Sequence, residues 1–337
     1  MGAAETMTNL VGMQAQNPHD PYYALWARLD GFDAAELSGL IEQREVLRGA
    51  LMRATLHLAI TDDFLFLRSL LQPTLAAVLG STSFAKDTAH IDRDDLLAHG
   101  QALLEERPMT RAQLGPLLEE RWPDAPGGSM AQVVTYLLPV VQVPPRGIWG
   151  RSGPASWATL ESWVGVAVPG DGDARQLVLR YLAAFGPASV SDIRVWSRLN
   201  GLRQVVDEMR SDLAVHIGED GTELLDVPDG IIVGDDVPAP PRFLPEYDNV
   251  LLGHSDRSRF FVEGVAPIGW AGNLLVDGLF SGWWKMTKRA KEAHLEIHLL
   301  RKVPRSETKA VTYEGERLLS LAHPEAATTS MDLQSEV

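Results

Sequence analysis

The chain has no cysteine among its 337 residues. Disulfides, thiolate zinc sites and a cysteine nucleophile are thereby excluded. Lysine is nearly as scarce, with six in the whole chain. No apolar run reaches the roughly 20 residues that span a bilayer, and Met1–Asn9 lacks a basic stretch leading into an apolar core. A cytoplasmic protein with no membrane partner is expected. Positive charge is in deficit, with a net charge of −15, which counts against a nucleic-acid partner if the charge is spread evenly. Its distribution matters more than its sum. Lys285, Lys288, Arg289 and Lys291 fall in one short stretch, whereas acids gather at Asp92–Asp95, Glu105–Glu120, Asp171–Asp173 and Glu219–Asp236.

What is present is ordinary for a protein with a folded core: 45% hydrophobic and 22% charged residues. The pattern repeats a theme of helices followed by a short β ribbon. In a first unit (10–85), Asp20-Pro21 reads as a cap and first-turn proline. Asp33 caps a second helix, strand character runs from Arg44 to Ile60, and a helix from Thr61-Asp62 is expected to stop before Pro73. A second unit (90–168) has helices at 94–106 and 130–138, with one between them opened by the capping-box spacing Thr110 to Gln113. Val140–Val143, Pro144–Gly147 and Ile148-Trp149 then read as strand, turn, strand. A third (172–235) has helices at 174–185, 189–199 and 201–211, then a hairpin turning at Glu219–Gly221. Three helices and a hairpin is the winged-helix order. Residues 242–322 read as successive strands, with 260–262 among them and Asp277-Gly278 as a hairpin turn, closed by a helix; residues 323–337 are expected to be a disordered tail. The expected fold class is α+β: tandem winged-helix repeats with a C-terminal β-rich segment.

The segment with most chemical content is Gln14-Ala15-Gln16, between Val11-Gly12-Met13 and the turn-forming Asn17-Pro18-His19-Asp20-Pro21. Glutamines at i and i+2 share one side of an extended chain, and each offers an acceptor and a donor without charge. Four further strings accompany it: Arg53-Ala54-Thr55-Leu56-His57; Pro144-Pro145-Arg146-Gly147-Ile148-Trp149; Gly186 to Trp196; and Leu244-Pro245-Glu246-Tyr247-Asp248-Asn249-Val250. From Val11 to about Leu321 the chain resembles the AlkZ-type DNA glycosylases. That resemblance implies three tandem winged helices forming a concave DNA cradle, with the Gln-x-Gln pair at its centre as the catalytic element. A related branch carries Asp at the second position; this chain has Gln14 and Gln16, and so resembles the branch with two amides. Double-stranded DNA carrying alkylated bases is the implied partner, and a nucleoid-associated location follows from it.

The chemistry of amides says which substrate suits such a pair. They have no pKa near neutrality and cannot deprotonate water, but they can orient it and set dipoles beside a developing oxocarbenium ion. That suffices where the leaving group departs easily. N7- and N3-alkylated purines are cationic and leave neutral, including where the alkyl group belongs to an interstrand crosslink; ordinary purines would need protonation first. No lysine lies near Gln14 to supply a lyase amine. His57, Glu246, Asp248 and Asn249 are candidate supports of the site. Arg44, Arg48, Arg53, Arg146, Arg257 and Arg259, with the Lys285–Lys291 cluster, are candidate phosphate contacts. Trp283 and Trp284 are either core tryptophans or a groove wedge. His19 and His254 have no third ligand at a recognisable spacing, so no metal is expected, and no cofactor. A non-enzymatic winged-helix regulator is the rival, although nothing resembles a dimerisation helix and a monomer is expected. A protein-interaction module is the third reading, favoured by the acidic balance.

Overall fold

The computed structural model describes all residues except 171, 235, 263, 264, 266–268, 336 and 337. The acidic positions 171 and 235 and the last two residues of the expected tail therefore lie outside the described residues. The chain starts with α1 (Ala3–Asn9), β1 (Met13–Gln14), α2 (Asp20–Trp26), α3 (Ala34–Glu42), β2 (Val46–Ala50), β3 (Leu56–Ile60) and α4 (Thr61–Gly80). The Asp33 carboxylate accepts from the Ala35 amide and starts α3. α4 runs through Pro73 instead of stopping before it. Tertiary contacts outweigh the proline there: on the same stretch Arg68 Nη2 and Gln72 Nε2 both donate to the Leu137 carbonyl at 3.0 Å.

Next come α5 (Ser83–Asp87), α6 (Arg93–Glu106), β4 (Met109–Thr110), α7 (Arg111–Glu119), α8 (Gly127–Leu137), β5 (Val140–Val143), β6 (Ser156–Thr159) and α9 (Leu160–Val164). Thr110 and Gln113 form a reciprocal capping box at the start of α7. The expected ribbon is displaced. β5 pairs with β6, not with Ile148-Trp149. Proline nitrogens at 144 and 145 cannot donate to a ladder, and Tyr22 and Ser38 occupy the polar groups that follow. Tyr22 Oη donates to the Gly147 carbonyl at 2.7 Å, and the Trp149 amide donates to Tyr22 Oη at 3.1 Å. β1 to β6 form one sheet in the order β1-β3-β2-β5-β6-β4, so the first two expected units share it.

α10 (Ala174–Phe185), α11 (Val190–Ser197) and α12 (Leu202–Glu208) precede the two-stranded ribbon β7 (Ala214–Ile217) and β8 (Glu223–Asp226). Ser189 and Asp192 make a second capping box at α11. The final part contains β9 (Arg242–Leu244), α13 (Asn249–Leu252), β10 (Gly272–Val276), β11 (Leu279–Arg289), β12 (Glu292–Leu299), α14 (Arg305–Ala322) and β13 (Thr328–Ser335). Asp277 and Gly278 both have positive φ and turn β10 into β11. Residues 260–262 are not a strand. Residues expected to be a disordered tail supply β13, which pairs in parallel with β12 along its whole length, Glu292 against Thr328 to Leu299 against Ser335. Its backbone hydrogen bonds go to an otherwise open sheet edge, giving the order β13-β12-β11-β10-β9.

This last sheet packs on the opening helices. Phe243, Leu244, Phe280 and Trp284 share one core with Tyr22, Leu25 and Leu37, while α14 covers the sheet through Val311, Leu318 and Leu319. Arg28, just after α2, clamps the union: its guanidinium donates to both carboxylate oxygens of Asp248 at 2.9 and 2.6 Å. The Asp248 side chain is fully buried. Removing one member of such a pair strands a charge away from water. Arg28→Ala is therefore expected to lower the unfolding free energy by about 3–5 kcal/mol in urea titration, with part of the loss recovered by adding Asp248→Asn. A loss under about 1 kcal/mol, the scale of an exposed pair, would contradict this placement.

Candidate active site

β1 is two residues long and sits at the edge of the first sheet, with Gln14 opposite His57 on β3. The chain enters it through a tight bend: Val11 has φ 55° and Gly12 φ 91°. A side chain at Gly12 would be strained by that φ and would also press on the Leu58 carbonyl at 3.0 Å. Asn249 fixes this bend, its amide donating to the Gly12 carbonyl at 2.8 Å and to the Leu10 carbonyl at 3.4 Å. The tripeptide then separates its two amides. Gln14 is 6% exposed, Ala15 is fully buried and Gln16 is on the surface.

Gln14 is locked by Arg53, whose Nη2 donates to Gln14 Oε1 at 2.6 Å. A guanidinium has only donors, so the amide oxygen must face it and the direction of the side chain is determined. The same guanidinium donates through Nη1 to the Trp196 carbonyl at the end of α11, 2.7 Å away. Its Nη2 also lies 3.4 Å from His57 Nε2. His57 Nδ1 is 2.9 Å from the Thr55 carbonyl, an acceptor, and therefore carries the ring proton. Nε2 is left as an acceptor toward Arg53. Burial, and next the Arg53 charge, bring the His57 pKa down to about 3, so the imidazole stays neutral. Burial also lowers Arg53 to about 10, still charged at neutrality. Arg53 and Ala54 hold φ of 56° and 59°, a left-handed turn uncommon for side-chain-bearing residues. Gln16 Oε1 is near the Leu56 amide, at 3.4 Å.

Two of the arginines flanking the pair, Arg53 and Arg48, do not face solvent as phosphate contacts would. Arg53 is turned inward as described. Arg48 is 3% exposed and donates to the Ala15 carbonyl through Nε at 3.2 Å and Nη2 at 2.6 Å. Burial, then repulsion from Arg146, lowers it to about 9. Both hold the glutamine loop from beneath, which corrects their assignment as DNA contacts. Arg44 is exposed but donates to the Trp163 carbonyl at 2.6 Å and covers that ring. Arg146 donates to the Gly153 carbonyl at 3.1 Å, and Arg259 to that of Pro187 at 2.9 Å. Lys288 pairs with Glu325. Arg257, Arg289 and Lys291 are exposed. The basic cluster lies at the far end of β11, beside the Ala290-Lys291 turn into β12, and not at the Asp277-Gly278 turn.

Of the acidic candidates, Asp248 is consumed by Arg28 and by capping α13, where it accepts from the Val250 amide at 2.9 Å; it is a structural residue. Glu246 remains half-buried, lining a cavity with Asp20. Trp284 is core, donating to the Leu244 carbonyl at 2.8 Å, and Trp283 stacks on His298 at 3.8 Å. Among the described residues no cluster of three metal-ligating side chains occurs.

Sequence reasoning missed Asp20. Its place before Pro21 suggested a cap, yet the N-cap of α2 is His19, with no side-chain capping bond. Asp20 is 4% exposed, and its Oδ2 has no hydrogen-bond partner among the described residues. Burial first, then Glu246 and Asp248, push its pKa up to about 7.

The comparisons with known proteins establish the class: the chain is a DNA glycosylase, a hydrolase of N-glycosyl bonds acting on DNA. It belongs to the family described as DNA glycosylase AlkZ-like, whose model matches residues 7–321. Its fold is similar to that of the Streptomyces sahachiroi DNA glycosylase AlkZ, with a TM-score of 0.75 and 19% identity over 99% of this chain and 94% of that one. No curated protein matches the chain. Among the described residues no helix is long and apolar enough to cross a membrane.

The Asp20 shift has a stability consequence. Between the ordinary carboxylate pKa and about 7 the unfolded chain has lost this proton while the folded protein keeps it. Stability from this group is therefore greatest at acid pH and falls as pH rises through that window. Asp20→Asn removes the slope, so its stability relative to the parent should rise by a few kcal/mol, on the order of 1.4 per pKa unit, between acid and neutral pH. Urea midpoints across that range read it; a parallel pH dependence in both proteins would contradict it.

Proposed function

We propose that the protein is a monofunctional glycosylase for cationic N7- and N3-alkylated purines in base excision repair, working as a monomer on double-stranded DNA without cofactor or metal. Gln14 and Gln16 are the catalytic residues. The observation that carries this reading is the neutrality of the pair and the nature of what touches it. Arg53 is a cation with no lone pair to offer, and His57 is a neutral imidazole whose basic nitrogen faces Arg53. Neither can take a proton from water, so the leaving group must depart without much help, as a cationic purine does. Gln14 Oε1 keeps a second lone pair for a water proton, and the exposed Gln16 sets its dipole on the solvent side. Interstrand crosslinks through the same purine nitrogens present the same cationic leaving group and fall within this chemistry.

The organisation into units 10–85, 90–168, 172–235 and 242–322, with tandem winged helices in the first three, is part of the proposal. It is supported by α10 to α12 leading into the β7–β8 ribbon and by α6 to α8 leading into β5–β6. DNA phosphates are met by the exposed cations Arg257, Arg289 and Lys291, with Arg44, Arg146, Arg259 and Lys285 on the same account. A non-enzymatic regulator is disfavoured by the glycosylase family itself.

Gln14→Ala and Gln16→Ala should each lower single-turnover release of 7-methylguanine by about 10²–10³-fold, the cost of one preorganised dipole, with DNA affinity nearly unchanged. Release from methylated duplex measures it. Parent-like rates in both variants would remove the catalytic assignment.

A further inference from the structure

A cavity of about 190 Å³ lies between α2 and the β10–β11 strands of the second sheet. Asn17, the residue after Gln16, lines it together with Asp20, Tyr23 and Glu246. Trp270 and Trp284 form its aromatic side, Trp284 standing edge-on to Tyr23 with ring centroids 5.4 Å apart. The wall is tailored by Gly272: a Cβ there would fall 2.1 Å from the Trp284 ring, so a side chain could not be added without moving the indole. The volume is below the roughly 300–1,000 Å³ of sites for drug-sized molecules and suits a single small ring system.

Two properties define the occupant. Asp20 is 4% exposed, lines the cavity, and has an oxygen with no partner among the described residues. A buried unpaired acceptor carries a free-energy cost that a donor or a cation removes. Trp270 is 57% exposed, and Lys285, which also lines the cavity, rests its ammonium 5.2 Å from that ring centroid, so the face is filled by a cation of the chain that an incoming cationic base replaces. Carboxyls on one side and indole faces on the other select a flat, positively charged aromatic.

We infer that this cavity takes the cationic alkylated base itself, turned out of the DNA stack, with Asp20 and Glu246 facing its charge and Trp270 on its ring face. This rests on the proposed reaction and specifies how its substrate is recognised. An undamaged purine is neutral and leaves the Asp20 oxygen without a charge partner, so selection for damage is electrostatic as well as kinetic. The pocket acts on binding and not on bond cleavage. As the glycosidic bond breaks, positive charge leaves the base for the sugar, so acids around the base favour the bound substrate over the transition state. Loss of these groups should weaken binding of the lesion without a matching fall in the saturated rate.

The test uses the intact protein without DNA at neutral pH, where both the cationic form of 7-methylguanosine and the Asp20 carboxylate are populated, and follows quenching of tryptophan fluorescence by 7-methylguanosine against neutral guanosine. Saturable quenching by 7-methylguanosine at about tenfold lower concentration than guanosine is expected. Glu246→Gln and Trp270→Ala, both at solvent-accessible positions, should each remove most of that difference. With methylated duplex, Glu246→Gln should raise the half-saturating concentration by more than it lowers the saturated rate. Equal quenching by the two nucleosides, or selectivity untouched by both variants, would overturn the inference. Excision that depends on Gln14 and Gln16 with no selective quenching removes the pocket and leaves the proposed reaction. Selective quenching with excision indifferent to both glutamines does the reverse.

Discussion

Among the described residues the Arg53 guanidinium has no carboxylate partner; it is held by three neutral acceptors, Gln14 Oε1, the Trp196 carbonyl and His57 Nε2. A buried charge tolerates such surroundings only when its donors are met at good geometry. Satisfying Arg53 therefore obliges the β1 edge, the β2–β3 turn and the end of α11 to meet at one point. It also sets the direction of Gln14 and adds to the burial that keeps His57 neutral. A side-chain amide has little orientation of its own at a sheet edge, and this arrangement supplies it from the scaffold.

The second constraint comes from the far end of the chain. Asn249 holds the Gly12 carbonyl, while Asp248 beside it is neutralised by Arg28. Adjacent residues after β9 thus secure the bend entering β1 and the helix leaving the site. The segment from β9 through α13 is consequently part of the candidate site's foundation, and of its candidate acids Glu246 lines a cavity while Asp248 is paired with Arg28. Asp20 is the counterpart on the opening segment, a carboxyl raised to about 7 by burial and then by the charges of Glu246 and Asp248.

Much of this was legible where the signal is local. The caps at Asp33, Thr110 and Ser189 and the Asp277-Gly278 turn each depend on residues within a few positions. Long-range effects were not legible. Arg48 and Arg53 resemble phosphate contacts in any linear reading, and only the packing of β1 against β3 turns them inward. Asp20 before Pro21 has the local grammar of a cap, yet His19 takes that position. Residues 328–335 offer only Met331 and Leu333 as alternating apolar positions and, lying at the end of the sequence, read as a disordered tail, but an open edge on β12 supplies the ladder that makes them a strand. The shared core between the chain's two ends, and the cavity beside it, left no mark on the linear pattern.

The central claim is that Arg53 acts on catalysis through Gln14. A double-mutant cycle in single-turnover release of 7-methylguanine, at saturating protein, examines that coupling directly. The four proteins are the parent, Gln14→Ala, Arg53→Lys and the double variant, each verified to be folded. If the claim holds, Arg53→Lys slows the parent markedly and adds almost nothing once Gln14 is alanine. Losses that multiply in the double variant would show that Arg53 contributes independently of Gln14 and would contradict the account.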